Sequence, residues 1–177
     1  METRPIRIEV MIIDMNYHPL LFTFGDVIAG NGFLAGVKLS GRAVMIEEEP
    51  GKWWMYGVYP GAIAQAGETP KEAYLHFRST YKEALFDIAQ EANDFESFKA
   101  EVERFLREAD EEDERNWTDA ARAVRSGAMV VGPPFSELPR ERPEDHPPSA
   151  VVEKLDATKQ FTPSDNIQDT YALPAAA

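Results

Sequence analysis

Arg42-Ala-Val-Met-Ile-Glu-Glu-Glu-Pro-Gly-Lys-Trp-Trp-Met-Tyr-Gly-Val-Tyr59, followed by Pro60-Gly-Ala-Ile-Ala-Gln-Ala-Gly-Glu-Thr-Pro-Lys-Glu-Ala73, reads as a strand, a tight turn, a long strand and a capped helix in immediate succession. Pro50 presets φ for the second position of a β-turn, and Gly51 accepts the positive φ that a type II turn needs next. Val44 and Ile46 before the turn, and Trp53, Trp54, Tyr56, Val58 and Tyr59 after it, are strand formers. Thr69-Pro70-Lys71-Glu72 is a capping box with proline at the first helical position. The Thr69 hydroxyl accepts the Glu72 amide, and the Glu72 carboxylate reaches back to the cap amide. From there Ala73, Tyr74, Phe77, Tyr81, Leu85, Ile88 and Ala92 recur at spacings of three and four, which traces one apolar helical face.

Outward from this segment, the chain of 177 residues has room for one domain with a substantial core and something more. Its 31 acidic and 18 basic residues leave a net charge of −13. That balance argues against direct binding to a nucleic-acid backbone, which needs Lys and Arg to neutralise phosphates. It serves solubility, and it suits a basic partner because complementary charge speeds encounter. The absence of cysteine removes disulfides, thiolate metal sites and thiol nucleophiles together, and is compatible with a reducing cytosol. No apolar run approaches the ~20 residues that span a bilayer. Glu2 and Glu9 interrupt any signal-peptide pattern, so the expected location is cytoplasmic.

Ile6–Ile13 reads as a strand and Leu20–Phe24 as a second short apolar run. Asn31-Gly32 between apolar stretches is a hairpin signal. The glycines at 25, 30, 32, 36 and 41 match neither G-x-G-x-x-G nor a P-loop, and no helix follows, so they read as turns and bulges. After the first helix ends near Asn93, Asp94 caps a second, with Phe95, Phe98, Val102, Phe105 and Leu106 on one face. The run Glu108-Ala-Asp-Glu-Glu-Asp-Glu114 lacks the spaced ligands and central glycine of a calcium loop and reads as a solvated helix end or loop. Trp117–Gly127 reads as a short third helix with Thr118 at its cap and Gly127 as its stop. Ala128–Val131 then reads as a strand closed by Pro133-Pro134. Residues 133–177 hold eight of the thirteen prolines and read as an acidic tail, disordered or extended, with Val151, Val152, Leu155, Phe161 and Tyr171 as spaced apolar anchors for docking on the domain or on a partner.

No catalytic signature emerges. His18, His76 and His146 each stand alone. No serine has a G-x-S-x-G or S-x-x-K context. Strand alternation places Glu47 and Glu49 on one face, and Asp14 with Glu47–Glu49 supplies the residue types of a carboxylate metal site, without the spacing of one. The expectation is therefore no catalytic residues, no cofactor and no metal. Trp53 and Trp54 point to opposite faces of their strand, so one serves the core and the other is a candidate binding anchor. The candidate partner-binding residues are Trp53, Trp54, Tyr56, Phe161 and Tyr171.

With those residues in view, the segment 42–92 resembles the HicB family of antitoxins. The residues that carry the resemblance are Tyr59-Pro60-Gly61, Gly67-Glu68-Thr69, Glu72-Ala73 and Ala84-Leu85. The resemblance implies a partly degraded ribonuclease-H-like fold, an antiparallel sheet with a helix packed on one face, and inhibition of a small basic toxin that cleaves messenger RNA. Ala128–Val131 would be the strand that follows the helix. The sequence departs from the family in its first forty residues, in two inserted helices, and in lacking a C-terminal helix-turn-helix or ribbon-helix-helix, so DNA binding is not implied.

The resulting expectation is an α+β protein. A single domain spans 1–132, with 42–92 as the HicB-like core, 1–41 as additional strands and 94–127 as inserted helices. Two to three helices pack on one face of an antiparallel sheet, and the tail follows at 133–177. The expected function is that of a non-enzymatic protein-binding module masking a basic toxin. The alternative is a self-associating regulatory or structural domain, a homodimer with no toxin partner.

Overall fold

Strand β1 (His18–Gly30) and strand β2 (Phe33–Glu49) form a long antiparallel hairpin turned by Asn31-Gly32, where Gly32 has φ 76°. The computed structural model describes residues 16–156 and 169–175, so the expected strand Ile6–Ile13, Asp14 and Phe161 lie outside the described residues. Pairing runs without interruption from Gly30 opposite Phe33 to His18 opposite Met45. Because strand side chains alternate, this register assigns every residue to a face. Leu20, Phe22, Phe24 and Ile28 of β1 share one face with Phe33, Ala35, Val37, Leu39, Ala43 and Met45 of β2, and all are buried in one core cluster.

The remaining strands dock on this hairpin. Strand β3 (Lys52–Tyr59) returns from the Pro50-Gly51 turn, where Gly51 has φ 75°, and pairs with the far half of β2; β4 (Ala64–Gly67) pairs with β3. Later in the chain come β5 (Arg140–Glu141), β6 (Ser149–Leu155) and β7 (Thr170–Pro174). The sheet has seven strands in the order β4-β3-β2-β1-β7-β5, with β6 on β2 beside Leu34–Ser40. All pairings are antiparallel except β5 with β7. The architecture is α+β, as the sequence leads one to expect.

Helix α1 (Pro70–Glu91) and helix α2 (Phe95–Arg107) cover the core face. Thr69 caps α1 by accepting the Glu72 amide at 3.1 Å, while the Glu72 carboxylate takes the N–H of Glu68, one residue before the cap. The apolar face expected for α1 holds: Ala73, Tyr74, Phe77, Tyr81 and Leu85 are buried. Asp94 caps α2, whose Phe98, Val102 and Leu106 are buried. Helix α3 (Glu111–Ser126) lies on the opposite face. There Trp117 and Ala121 pack on Leu21, Val44 and Val58, and the Trp117 indole donates to the Leu20 carbonyl at 3.0 Å.

The glycines of the Pro60-Gly61 and Gly67-Glu68-Thr69 segments have a packing cause. A Cβ at Gly61 would lie 2.3 Å from the Asp110 amide nitrogen, and one at Gly67 would lie 2.4 Å from the Ala73 nitrogen. The Gly61 N–H also donates to the Glu108 carbonyl at 2.7 Å. The two glycines thus let the loop after β3 touch the link between α2 and α3, and let β4 run straight into α1.

Three expectations need correction. The acidic run is a loop only at residues 108–110, the link from α2: Asp110 caps α3, and Glu111, Glu112, Asp113 and Glu114 form its first turn, where carboxylates meet the positive end of the helix dipole. Thr118 is therefore inside the helix, its hydroxyl donating to the Glu114 carbonyl. Gly127, at φ 76°, does end the helix. Ala128–Val131 forms no strand. The Met129 amide donates back to the Ala123 carbonyl, Val130 is 88% exposed, and the edge of β2 is occupied by β3 and β6. The tail, by contrast, takes the extended, docked form that was one of its two expected forms: Ser149–Leu155 pairs with β2 and Thr170–Pro174 with β1.

One buried ionic cluster secures β7. Asp26 of β1 is buried and meets the Arg78 guanidinium at 2.8 Å; Lys82 stands 3.8 Å away. Arg78 also bonds Asp169 at 2.7 Å and the Gly25 carbonyl at 3.2 Å, and its guanidinium lies over the Phe24 ring. Removing one partner of a buried pair strands the other charge. Arg78→Met should therefore cost roughly 3–5 kcal/mol in urea denaturation, and adding Asp26→Leu should recover part of that loss. A double variant no more stable than Arg78→Met would show that Arg78 acts through Asp169 and Phe24 alone.

Candidate functional site

Among the candidate binding residues, the structure groups Trp54 with Tyr56 and separates both from Trp53 and Tyr171. Trp54 and Tyr56 are alternate residues of β3 on the face that carries α3. Their rings stack at 5.6 Å with an interplanar angle of 17°, and both are half-buried. Trp53 points to the other face, packed on the main core beside Phe135 and His18. Tyr171 lies on β7 and stacks on Tyr74 of α1 at 4.3 Å. Phe161 is outside the described residues.

Carboxylates gather near Tyr56 and its neighbour Tyr17. The Tyr56 hydroxyl donates to Glu48 at 2.5 Å. Burial first, and that hydrogen bond second, raise the Tyr56 pKa. Tyr17 sits in the same group: burial raises its pKa, and so do the nearby charges of Asp113, Glu112 and Glu48. Asp113 is raised by burial and by the repulsion of Asp110. Lys52 places its ammonium 5.9 Å from the Trp54 ring centroid, so the ring already carries one cation from its own chain. The Trp54 indole nitrogen is buried with no acceptor among the described residues. Beyond Tyr17 an open groove of about 450 Å³ continues along α3, lined by Asn116, Asp119, Ala123, Met129 and the exposed Val130.

The inner edge of this surface is firm. Tyr59 donates to Glu114 at 2.6 Å, and the Arg42 guanidinium lies 4.3 Å from the Trp117 ring centroid. These contacts fix α3, and with it Glu112 and Asp113, against β2 and β3. The resulting surface of two stacked rings, a third phenol and several acidic side chains is chemically suited to a cationic side chain. A guanidinium or ammonium stacks on an aromatic face and pairs with carboxylates at its rim.

Sequence reasoning found Trp54, Tyr56 and the stretch Glu47–Glu49, but it missed Tyr17, Glu112 and Asp113. Asp110 two to three residues before the last two was a readable cap, yet that α3 comes to rest beside β3 is a tertiary fact. Glu47 and Glu49 do not form a pair on one face, because the register shifts between them. Glu47 instead accepts the Gly51 amide at 2.7 Å and closes the turn. The three histidines lie apart: His18 shares a bond with the Met45 carbonyl, His76 with the Ala66 carbonyl, and His146 stands 3.2 Å from Glu141. Among the described residues no three His, Asp or Glu side chains gather as metal ligands, and no helix is long and apolar enough to cross a membrane.

Compared with family models, curated proteins and solved structures, this chain matches none of them.

His18 gives the end of the sheet beneath Trp53 a pH dependence. It stacks on Phe135 at 3.9 Å, and burial holds its pKa below 6.5 despite the opposing bond to the Met45 carbonyl. As pH falls through the unfolded value, the unfolded chain takes up a proton that the folded chain still refuses, so stability falls with it. Urea denaturation at about pH 7.5 and about pH 5.5 should show wild type losing more stability than His18→Phe, which keeps the ring stack. Equal losses would place the acid sensitivity elsewhere.

Proposed function

We propose that this chain is a non-enzymatic protein-binding module, HicB-like in type, that takes a small basic protein on the Trp54–Tyr56 surface. The observation that carries this reading is the stacked Trp54–Tyr56 pair, with Glu48 hydrogen-bonded to Tyr56, Asp113 near that phenol, and Glu112 near the neighbouring Tyr17. Binding hot spots concentrate in aromatic anchors, and here the anchors stand on a rigid strand rather than on a loop. The net charge of −13 would steer a basic protein toward this face. The strand–turn–strand–capped helix order over residues 42–92 supports the family likeness, as does the way Pro60-Gly61 and Gly67-Glu68-Thr69 are used in packing. A messenger-RNA-cleaving toxin is the partner which that likeness suggests.

Affinity purification of the tagged chain from its native host, with mass spectrometry, tests this directly. Wild type should retain a small basic protein in stoichiometric amount, with retention falling as salt rises. Trp54→Ala with Glu112→Lys should weaken it by about 2 kcal/mol or more, some thirtyfold, with the fold unchanged by circular dichroism. Failure to recover any small basic protein, or equal recovery by the variant, would sink the proposal.

A further inference from the structure

The face of the sheet that carries α3 is covered by that helix only at one end, over Leu21, Val44 and Val58. A row of hydroxyls then crosses the strands, Thr23 beside Ser40 beside Ser149, with the Thr23 and Ser40 oxygens 3.4 Å apart. Past this row, toward the Asn31-Gly32 turn, three further rows run across β1, β2 and β6. They are Gly25, Lys38 and Val151; Val27, Gly36 and Glu153; and Ala29, Leu34 and Leu155. Val27 is 40% exposed and Val151 49% exposed, which places both among the few large apolar side chains left open in the described residues.

The centre of this patch is Gly36, and nothing among the described residues demands a glycine there. A Cβ at that position would meet only the Leu155 methyl groups, at 3.5 and 3.7 Å, which is ordinary contact, and the backbone is not in the positive-φ region. A glycine inside a strand weakens it by about 0.5–1 kcal/mol relative to alanine. A glycine inside a strand goes with a bulge, a tight bend, or the close approach of a ligand or another backbone, and the unbroken pairing at Gly36 leaves the last of these.

We infer that this patch is a self-association surface, and that its occupant is a second copy of this chain. The argument is charge complementarity. On a molecule of net charge −13, the patch carries one cation, Lys38, and one anion, Glu153, on adjacent strands and adjacent rows. Take a two-fold axis along the diagonal from Ala29 through Gly36 to Val151, with the two sheets crossing near a right angle, one of the two usual ways that sheets pack. Lys38 of each copy then lies over Glu153 of the other, Val27 lies over Leu34, and the two Gly36 backbones face each other. Such self-complementarity is the mark of an isologous contact. The surface is distinct from the Trp54–Tyr56 surface and does not depend on it. Three strands by three rows cover on the order of 300 Å² per copy, less than the per-partner area of a standard stable interface. The dimer is therefore weak and dependent on concentration.

Sedimentation of the full chain over a wide concentration range tests this. The weight-average mass should climb from 19.9 kDa toward twice that value. Gly36→Val should abolish the climb. Gly36→Ala should weaken it while leaving the melting temperature equal or higher, which separates association from folding. Lys38→Glu and Glu153→Lys should each weaken association, and the two together should restore it. Glu153→Lys is the sharpest arm, because it lowers the net negative charge and would strengthen association if general repulsion governed. A mass fixed at 19.9 kDa up to the solubility limit would overturn the inference and leave the face to another part of this chain or to a foreign protein. So would association indifferent to Gly36→Val, or a double swap that fails to restore what the single swaps lose.

Discussion

The residue-by-residue pairing of β1 with β2 is the constraint on which the rest of the structure depends. It turns on Asn31-Gly32 and then holds one register along the whole of β1. A slip of one residue would send Phe22, Phe24 and Ile28 to the opposite face and expose the surface on which α1 and α2 close. β2 gives one edge to β1 and offers its other edge to β3 over Arg42–Glu49 and to β6 over Leu34–Ser40. The hairpin thus acts as a spine with docking positions along both sides, and the order in which strands attach follows from where that spine has free backbone groups.

The strands furthest along the sequence are held by ionic chemistry as well as by pairing. β7 makes only a short ladder with β1, at Leu21–Thr23. Arg78 supplements it from α1 by joining Asp26 on one side and Asp169 on the other. A buried carboxylate is costly unless it is paired, so Asp26 obliges the helix to present a cation at that height, and the same cation gives Asp169 a reason to be there. Side chains distant in sequence are brought to one point, and a region rich in proline becomes part of the sheet.

The second face of the sheet is divided by its own side chains. At one end Trp117 and Arg42 bring α3 down on Leu21, Val44 and Val58, and the acidic first turn of that helix comes to rest near Tyr56 and Tyr17. At the other end lies a nearly neutral apolar patch, and hydroxyl-bearing residues separate the two. One sheet face therefore presents two surfaces of different chemistry. The acidic, aromatic surface has the chemistry to take a cation, and the neutral one adds no local like-charge repulsion to a contact between two acidic chains.

Local signals were enough to read the turns at Asn31-Gly32 and Pro50-Gly51, the cap at Thr69, the cap at Asp94, the stop at Gly127 and the buried stripe of α1. Each depends on residues within a few positions of one another and on backbone preferences that act without the rest of the fold. The opposed directions of Trp53 and Trp54 were legible for the same reason. The start of α3 was hidden because a run of carboxylates looks solvated until a cap and a helix dipole make it a first turn. The docking of Ser149–Leu155 and Thr170–Pro174 was not decidable from spacing, because pairing with β2 and β1 depends on which edges remain open once the hairpin has formed. The meeting of Tyr17, Tyr56, Glu112 and Asp113 likewise belongs to the tertiary structure alone. Those residues are far apart along the chain, and only the packing of Trp117 against the sheet brings them to one place.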